Sequence, residues 1–392
     1  MKHIIIRNFG PLKEADMELS DINLIIGQQG TGKSCTMMVA CFCSWVEKRI
    51  MLRQSAKEFE ESHTFLDMIT SYYHAKGYVY PNTYISYESK FMKFSYDNAT
   101  KCFLQSWKSN RWKYCRPKVS YIPAERNILA LVPNWNKIEM NYDSIMDFYA
   151  DWDTARKYMR NERDILQTGI SYEYDDATRT DSIITSKGKK LEMVNGSSGM
   201  QSLIPQFVHM DYLLRGIYVA EEQEVREKSF SEKEMINNLL DILYRRNYKR
   251  TDASDKKKKV VHMDGKDFLF HSEESALKFQ KEVAAKLHTD HAEIFLEEPE
   301  SNLFPPTQFQ LMDWIVDMRQ YQGRNNFFFI ATHSPYVLNH LLQENLKNFK
   351  LFLTYSSPDG ECFVKTADEE ALQNIYDNGS DAFFNFEAFL DR

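Results

Sequence analysis

An eight-residue segment near the amino terminus constrains the fold more than any other part of the sequence. Gly27-Gln-Gln-Gly-Thr-Gly32-Lys33-Ser34 fits the pattern GxxxxGK[ST]. The apolar run Ile22–Ile26 before it predicts a buried strand, and Ser34–Val46 after it predicts a helix packed against a sheet. Small residues let backbone N–H groups turn inward around phosphate oxygens at a helix N-terminus. The segment therefore predicts a phosphate-binding loop.

The loop residues have distinct expected roles. Lys33 would reach the β- and γ-phosphates of a nucleotide and is a catalytic candidate, and the Ser34 hydroxyl would bind Mg²⁺. A chance glycine turn is the alternative, but the chain has only 14 Gly in 392 residues, so an accidental match is rare. The predicted nucleotide-binding residues are Gly27, Gln28, Gln29, Gly30, Thr31, Gly32, Lys33 and Ser34.

A second motif supplies acidic groups for the same chemistry. Glu293-Ile-Phe-Leu-Glu297-Glu298-Pro299-Glu300 reads as an apolar strand that ends in two carboxylates. One carboxylate is expected to hold the metal and its neighbour to orient the attacking water. An isolated pair of this kind is equally often an ordinary acidic strand end. The phosphate-binding loop makes the catalytic interpretation the favoured one.

Two further segments are candidates for phosphate contacts. His333 follows the apolar run Phe327–Ala331, so it should reach the sheet edge that carries the other motifs, although a lone histidine after a strand is more often structural. Ser197-Ser198-Gly199-Met200-Gln201 should begin a helix and could bind an anion there, or could simply be a good N-cap. Ser197, Ser198 and Gly199 would form this anion site.

Composition sets the class of protein. With 43% hydrophobic residues and apolar runs separated by helical segments, the chain predicts an α/β fold with a mostly parallel core sheet. Aromatic and β-branched residues alternate with polar ones over 80–119, which predicts an antiparallel β meander. The net charge of −7 excludes coating of a polyanion by net charge alone.

The expected location is the cytoplasm. The six cysteines form no CxxC pair and read as reduced, mostly buried thiols. The first residues lack a signal-peptide core. The uncharged run Asn325–Gln343 has membrane-spanning length, but its three Asn, two His, Ser and Pro argue against a transmembrane helix.

The order of these motifs resembles that of the ABC-type ATPases of the RecF/SMC/OLD branch. The opening Ile6-Arg-Asn-Phe-Gly-Pro-Leu12 and the segment Tyr121-Ile-Pro-Ala-Glu-Arg126 look like the same branch, and especially like its bacterial AAA members. The resemblance covers about 1–46, 119–128, 190–215 and 292–345. It implies a P-loop NTPase with an ABC-ATPase-like head, ATP and Mg²⁺ as ligands, and ATP hydrolysis between two head-to-tail copies.

The resemblance also assigns roles. It makes Gly27–Ser34 the Walker A loop and His333 the switch histidine. Glu297 and Glu298 become the Walker B pair, with Glu297 as metal ligand and Glu298 as catalytic base. Ser197–Gln201 would be the signature that reaches the ATP of a partner copy, and Pro299–Leu303 the D-loop. Glu297 departs from the usual Asp, and Met200 replaces the signature's second glycine. Gln105 is a weak candidate for the Q-loop glutamine.

The predicted organisation is one composite ATPase with four regions. Residues 1–130 would form the Walker A lobe with the β subdomain, 131–215 the helical and signature region, 216–290 a charged helical insertion, and 291–392 the rest of the core. The insertion separates an acidic part (Glu221, Glu222, Glu224 and Glu227) from a basic part (Arg245–Lys259), which predicts a contact with a partner or nucleic acid.

A second basic segment leaves two interpretations open. Lys101–Lys118 interleaves six basic residues with aromatic ones and contains no acid. It could bind nucleic acid, but a twisted strand pair with one solvated basic face and one buried aromatic face is the favoured interpretation.

The resemblance suggests a biological role. Similar ATPases often serve bacterial anti-phage defence, where ATP state controls a nuclease or toxin. Only 59 residues follow His333, and 349–366 reads as a hairpin, so the effector is expected to be a separate chain. A RecF/SMC-like ATPase for DNA repair or clamping is the alternative, and a non-catalytic ATP-binding scaffold is a further one. The long insertion disfavours a transporter subunit.

Overall fold

The computed structural model describes residues 2–61, 64–132, 143–159, 162–219, 230–247, 259–344 and 346–379. Its main sheet has eleven strands in the spatial order β6-β5-β4-β1-β2-β19-β18-β3-β17-β14-β7. These strands are β1 (Lys2–Phe9), β2 (Leu12–Leu19), β3 (Ile22–Gly27), β4 (Val79–Glu88), β5 (Met92–Asp97), β6 (Cys102–Trp107), β7 (Arg116–Ile122), β14 (Thr289–Glu297), β17 (Phe327–Ala331), β18 (Phe349–Ser356) and β19 (Cys362–Thr366). The fold is α/β, as the sequence predicts.

The core of this sheet is parallel. Strands β18, β3, β17, β14 and β7 run in the same direction, with Leu296 of β14 beside Ile122 of β7 and Ile330 of β17. All residues of β3 and β17 are buried, which explains their continuous apolar sequences. The Walker A loop follows β3, Glu297 ends β14 and Glu298 comes directly after it, so the loop and the acidic pair lie at the carboxyl-end edge of the core.

The antiparallel β subdomain continues the same sheet. Strands β2, β1, β4, β5 and β6 pair antiparallel, and β19 joins them to the core by pairing parallel with β2 and antiparallel with β18. The predicted meander over 80–119 is therefore right for β4, β5 and β6.

The interpretation of 101–118 as a strand pair is wrong. Strands β6 and β7 lie at opposite edges of the sheet, and a 3-10 helix over Ser109–Lys113 connects them. Strand β7 pairs with β14 and has buried residues there, whereas β6 pairs with β5. Alternation of aromatic and basic residues does not reveal which neighbour a strand will choose.

Helices cover both faces of the sheet. They are α1 (Lys33–Arg53), α2 (Lys57–Glu60), α3 (Thr64–Tyr72), α4 (Ile128–Leu131), α5 (Ser144–Tyr158), α6 (Ser198–Asp211), α7 (Phe230–Asn247), α8 (Glu273–Leu287), α9 (Pro305–Arg319), α10 (Pro335–Gln343) and α11 (Glu369–Asn378). Helices α1 and α3 share one apolar cluster with the β subdomain, and α5, α6, α9 and α10 share a second cluster on the other face of the core strands. Within the described ranges, no helix combines the length and apolarity needed to cross a membrane.

Smaller sheets flank the core. Strands β8 (Arg163–Asp164), β9 (Ile170–Asp175), β10 (Thr180–Thr185) and β11 (Lys190–Glu192) form a four-stranded sheet before α6, and β15 (Gln320–Tyr321) pairs with β16 (Arg324–Asn325).

The insertion is more than helical. A hairpin of β12 (Lys259–Met263) and β13 (Lys266–Phe270) lies between α7 and α8, and side chains of these four elements form a separate apolar cluster. The acidic residues Glu221–Glu227 and the lysines at 256–258 fall outside the described residues.

Candidate functional site

The Walker A loop requires glycine at two backbone positions. Gly27 has φ 153°, and a Cβ there would lie 2.1 Å from the Thr354 hydroxyl oxygen of β18. Gly32 ends the loop at φ 95° and is the N-cap of α1. Thr31 donates or accepts a 2.6 Å hydrogen bond with Thr354, which ties the loop to the sheet. The loop is therefore a fixed turn against two core strands, with Gln28, Gln29 and Gly30 exposed.

Lys33 is folded onto its own loop. Its buried ammonium group donates to the carbonyl oxygens of Gly27 and Gln28 at 2.9 and 2.7 Å. Burial lowers the pKa of Lys33 to about 8, and the nearby Glu298 and Glu300 oppose this effect. A lysine without a fully compensating anion in a loop of backbone N–H groups fits a phosphate ligand.

Ser34 and Glu297 meet at the carboxyl end of β14, beside the start of α1. Glu297 is 8% exposed, and its Oε1 has no hydrogen-bond partner within the described residues. Burial raises the pKa of Glu297, while the neighbouring hydroxyls of Ser34 and Tyr121 favour the charged form. A buried carboxylate oxygen without a partner next to a hydroxyl is a donor set that suits Mg²⁺. The predicted metal ligands Ser34 and Glu297 thus fit the ion.

Glu298 and His333 face each other at this edge. Glu298 has the left-handed φ of 41°, and its N–H donates to the Ala331 carbonyl of β17 at 2.8 Å. Ser301 donates to Glu298 Oε2 at 3.0 Å, and His333 Nε2 lies 3.8 Å from Oε1. Burial and then the charge of Lys33 lower the pKa of His333. The two candidate catalytic side chains are half-exposed and within reach of one reacting group.

The signature segment lies against the D-loop of the same chain. Ser197 is the N-cap of α6 and accepts from the Met200 N–H, and Ser198 and Gly199 form the first turn. Ser202 donates to the Ser301 carbonyl at 2.7 Å, and Gln206 to that of Pro299 at 3.0 Å.

Gln201 differs from the other predicted contacts in the signature. Its amide donates to the Val194 carbonyl at 2.9 Å, and the residue is 9% exposed, so the side chain holds the segment before α6. Ser197 and Ser198 are exposed at the helix start. The exposed hydroxyls, rather than the amide, are thus presented to a ligand in this conformation.

The structure places two residues of the segment Tyr121–Arg126, for which the sequence predicted no role, beside the acidic pair. Arg126, which is fully buried, donates to the carbonyls of Glu297 and Glu298 at 2.7 and 2.6 Å. Burial lowers its pKa to about 10. Glu125, beside it in the loop after β7, is exposed and close enough to Glu297 to raise the pKa of that carboxyl. The signal was the parallel pairing of β7 with β14, which brings the end of Tyr121–Arg126 to the acidic pair.

Glu300 lies at the site, whereas Gln105 does not. Glu300 accepts from the His333 N–H at 2.7 Å and fixes the backbone of the switch histidine. Gln105 lies on β6, outside the parallel core, so the Q-loop candidate is wrong in position. The segment after β7 lies next to Glu297, and Gln105 does not.

Comparison with known proteins gives weak similarities. No family model matches the chain, and no curated protein does. Among solved structures, the chain is similar to the SMC head domain from Thermotoga maritima, with a TM-score of 0.42, 10% identity, and coverage of 93% of this chain and 98% of that one. It is also similar to the recombination mediator protein RecF (TM-score 0.29, 12% identity, 93% and 97% covered) and to the ADP form of MJ1267, an ATP-binding cassette of an ABC transporter (0.32, 10%, 97% and 96%).

Proposed function

We propose that the protein is a Mg-dependent ATPase of the ABC type that binds ATP between two head-to-tail copies. One observation carries the proposal: a fixed Walker A loop, a buried Glu297 with an unpartnered oxygen, and the Glu298–His333 pair meet at one sheet edge. Each group corresponds to a need of phosphoryl transfer, namely phosphate binding, metal binding and activation of water.

The geometry suggests how the side chains would work. Lys33 would exchange its loop carbonyls for the β- and γ-phosphates, and the α1 N-terminus would hold their oxygens. Mg²⁺ on Ser34 and Glu297 would neutralise charge that develops on the phosphates. Glu298 would accept a proton from the attacking water, while His333 would donate a hydrogen bond to the γ-phosphate.

The second copy follows from the position of the signature. Hydrogen bonds to the D-loop hold α6 in its own subunit, and Ser197 and Ser198 present exposed hydroxyls there. A partner's signature could close over the γ-phosphate at Glu298 and His333. ATP would then join two copies, and hydrolysis would separate them.

The test is Glu298→Gln. ATP turnover should fall by about 10²–10⁴-fold, as for loss of a general base, while binding of a fluorescent ATP analogue stays within about twofold. ATP should convert the variant to a stable dimer in size-exclusion chromatography. Glu60→Gln, an exposed change on α2, is the matched control. Parental turnover by Glu298→Gln would refute the assignment of the base.

We further propose that the ATP cycle controls a separate effector, such as a nuclease or toxin of an anti-phage system. The proposal rests on the motif resemblance described above. Capture from native cells with the ATP-trapped Glu298→Gln protein should enrich one partner chain over the Lys33→Ala control. Equal capture by both proteins would contradict control by ATP state.

A DNA-clamping ATPase is the second candidate, and one surface favours it. Arg111 stacks between Trp107 and Trp112, with 4.1 and 4.2 Å to the ring centroids, and Arg246 stacks on Trp112 at 4.2 Å. Such a stack could bind bases and phosphates. Here DNA binding should strengthen with ATP and fall steeply with salt, and an Arg246→Gln variant should weaken it.

A further inference from the structure

A cavity lies between α1, α3, β7 and α5. Its volume is about 490 Å³, within the range of small-molecule sites. Aromatic rings form much of its wall, including Phe42 and Trp45, which stack with their centroids 5.7 Å apart. Tyr72 and Phe148 contribute from α3 and α5. The cavity therefore offers an apolar wall on which a flat molecule can lie.

The charged groups of this cavity are committed to partners, with one exception. Lys118 pairs with Asp151 at 2.7 Å, and the Arg49 guanidinium binds Glu58 through two hydrogen bonds. Lys48 lines the cavity but forms no ion pair or hydrogen bond with any described residue. The Lys48 ammonium group therefore lacks a negatively charged partner among these residues.

The ammonium group of Lys48 is poorly compensated where it stands. Burial lowers the pKa of Lys48 to about 7, and the neighbouring charges of Lys118 and Arg116 act in the same direction. Asp151 opposes them, but it is paired with Lys118. A half-buried cation beside Lys118 and Arg116 is stabilised when an anion joins it.

We propose that this cavity binds a small flat organic anion, with its ring system against Trp45 and Phe42 and its acid group on Lys48. Trp45 and Lys48 are neighbours on one face of α1, so a ligand with both a ring and an acid group can contact both, whereas an inorganic ion or a neutral ring would contact only one of them. This site lies outside the proposed ATPase machinery and does not depend on it.

The cavity has a direct structural connection to the Walker B strand. Tyr121 of β7 contributes to its wall, and the Tyr121 hydroxyl lies beside the Glu297 carboxyl. Tyr73, also in the wall, packs edge-on against Tyr121 at 5.2 Å. A ligand here would therefore contact a residue that touches the candidate metal site.

The probe is 1-anilinonaphthalene-8-sulfonate, an aromatic anion whose fluorescence rises when it is bound. Titration of the full chain should give saturable binding, and Lys48→Met should weaken it by about tenfold or more, as expected for loss of a charged partner. Lys281→Met, an exposed change on α8, should alter affinity by less than about twofold. Binding to Lys48→Met at wild-type affinity, or no saturable binding to the parent, would overturn the proposal.

Two further measurements locate the dye and the charge. Ala150→Trp at the exposed edge of the cavity should block binding, whereas Thr154→Trp, one turn later on α5, should not. 1-Naphthaleneacetate should displace the dye at least about fivefold better than the isosteric 1-naphthaleneacetamide, because only the acid can pair with Lys48. Unchanged binding to Ala150→Trp, or equal displacement by acid and amide, would refute the site. Circular dichroism establishes that each variant is folded.

Discussion

Strand β14 carries two glutamates whose pKa values shift in opposite directions, Glu293 in its middle and Glu297 at its carboxyl end. Glu293 and Glu297 are both buried, at 4% and 8% exposure. Glu293 pairs with Lys2 at 2.5 Å and lies 3.5 Å from His291, and these cations hold its pKa well below the usual range despite burial. Burial raises the pKa of Glu297, which has an unpartnered oxygen. Burial alone therefore does not distinguish the two carboxylates; their partners do.

This contrast separates stability from function. A buried carboxylate with its cations in place holds the strands together, whereas one that lacks a cation is ready to receive one. The carboxylate in the middle of β14 thus has its cations in place. The carboxyl-end edge keeps Lys33, Glu297 and Glu300 incompletely satisfied, which suits a site that binds ATP and Mg²⁺.

The largest expected effect comes from making the same change at Glu293 and at Glu297. Glu297→Gln should lower ATP turnover by about 10²–10³-fold with little loss of stability, because the metal ligand is lost but no native ion pair is broken. Glu293→Gln should instead destabilise the protein by about 3–5 kcal/mol, because Lys2 loses its counter-ion and His291 keeps only Asp290. Urea unfolding and turnover per folded molecule measure both. If both variants lose stability equally, the contrast between Glu293 and Glu297 is wrong.

Arg126 should link the two properties. Arg126→Met removes the donors to the Glu297 and Glu298 carbonyls and should cost about 2–3 kcal/mol of unfolding free energy. Turnover should also fall by about tenfold, since the acidic pair loses its backbone support. Arg7→Met, at a half-exposed ion pair with Glu14, should cost less than about 1 kcal/mol. Full turnover in Arg126→Met would mean that the acidic pair is held by other contacts.

The pH dependence of stability tests the ion pairs of Glu293. Hydrogen bonds and charges of Asp290 and Glu293 outweigh burial and raise the pKa of His291 to about 9, above its unfolded value. Its contribution is therefore complete below about pH 6.5 and is lost as the pH rises toward 9. Glu293 has a lowered pKa, so its contribution is present above about pH 4.5 and is lost as the pH falls below that value.

The experiment is the difference between parent and His291→Asn. Their unfolding free energies, measured in urea from pH 6 to 9.5, should converge by about 2 kcal/mol as the pH rises. Taking the difference removes the opposing contribution of Lys48, whose pKa is lowered to about 7. A constant difference across this range would contradict the ion pair.

Local patterns predicted what is local. The Walker A loop follows a fully buried strand, the acidic pair lies at the end of another, and β18 and β19 form the hairpin predicted over 349–366. The roles of the site residues stay predictions, although the structure brings Lys33, Glu297, Glu298 and His333 to one edge.

Long-range pairing was not predictable in the same way. The contacts of Arg126 with Glu297 and Glu298 join residues 171 and 172 positions apart, and the partner of Thr31 lies 323 positions away. Such contacts depend on strand order, which neither alternation nor motif spacing encodes. The wrong positions of β7 and of the Q-loop candidate Gln105 have this same cause.

The smallest expected effect concerns Glu125, which lies near Glu297 at the carboxyl-end edge of the parallel core. It is exposed in the loop after β7, and its charge acts on Glu297 without a direct hydrogen bond between them. If Glu125 helps to hold the hydrated Mg²⁺, Glu125→Gln should raise the Mg²⁺ concentration for half-maximal turnover by about three- to tenfold, since one nearby negative charge is lost. Turnover at saturating Mg²⁺ should stay within about twofold of the parent, because Ser34 and Glu297 remain. Glu274→Gln on α8 is the matched exposed control and should leave the Mg²⁺ dependence unchanged. A loss of turnover that saturating Mg²⁺ does not restore would instead place Glu125 among the groups that act on ATP itself.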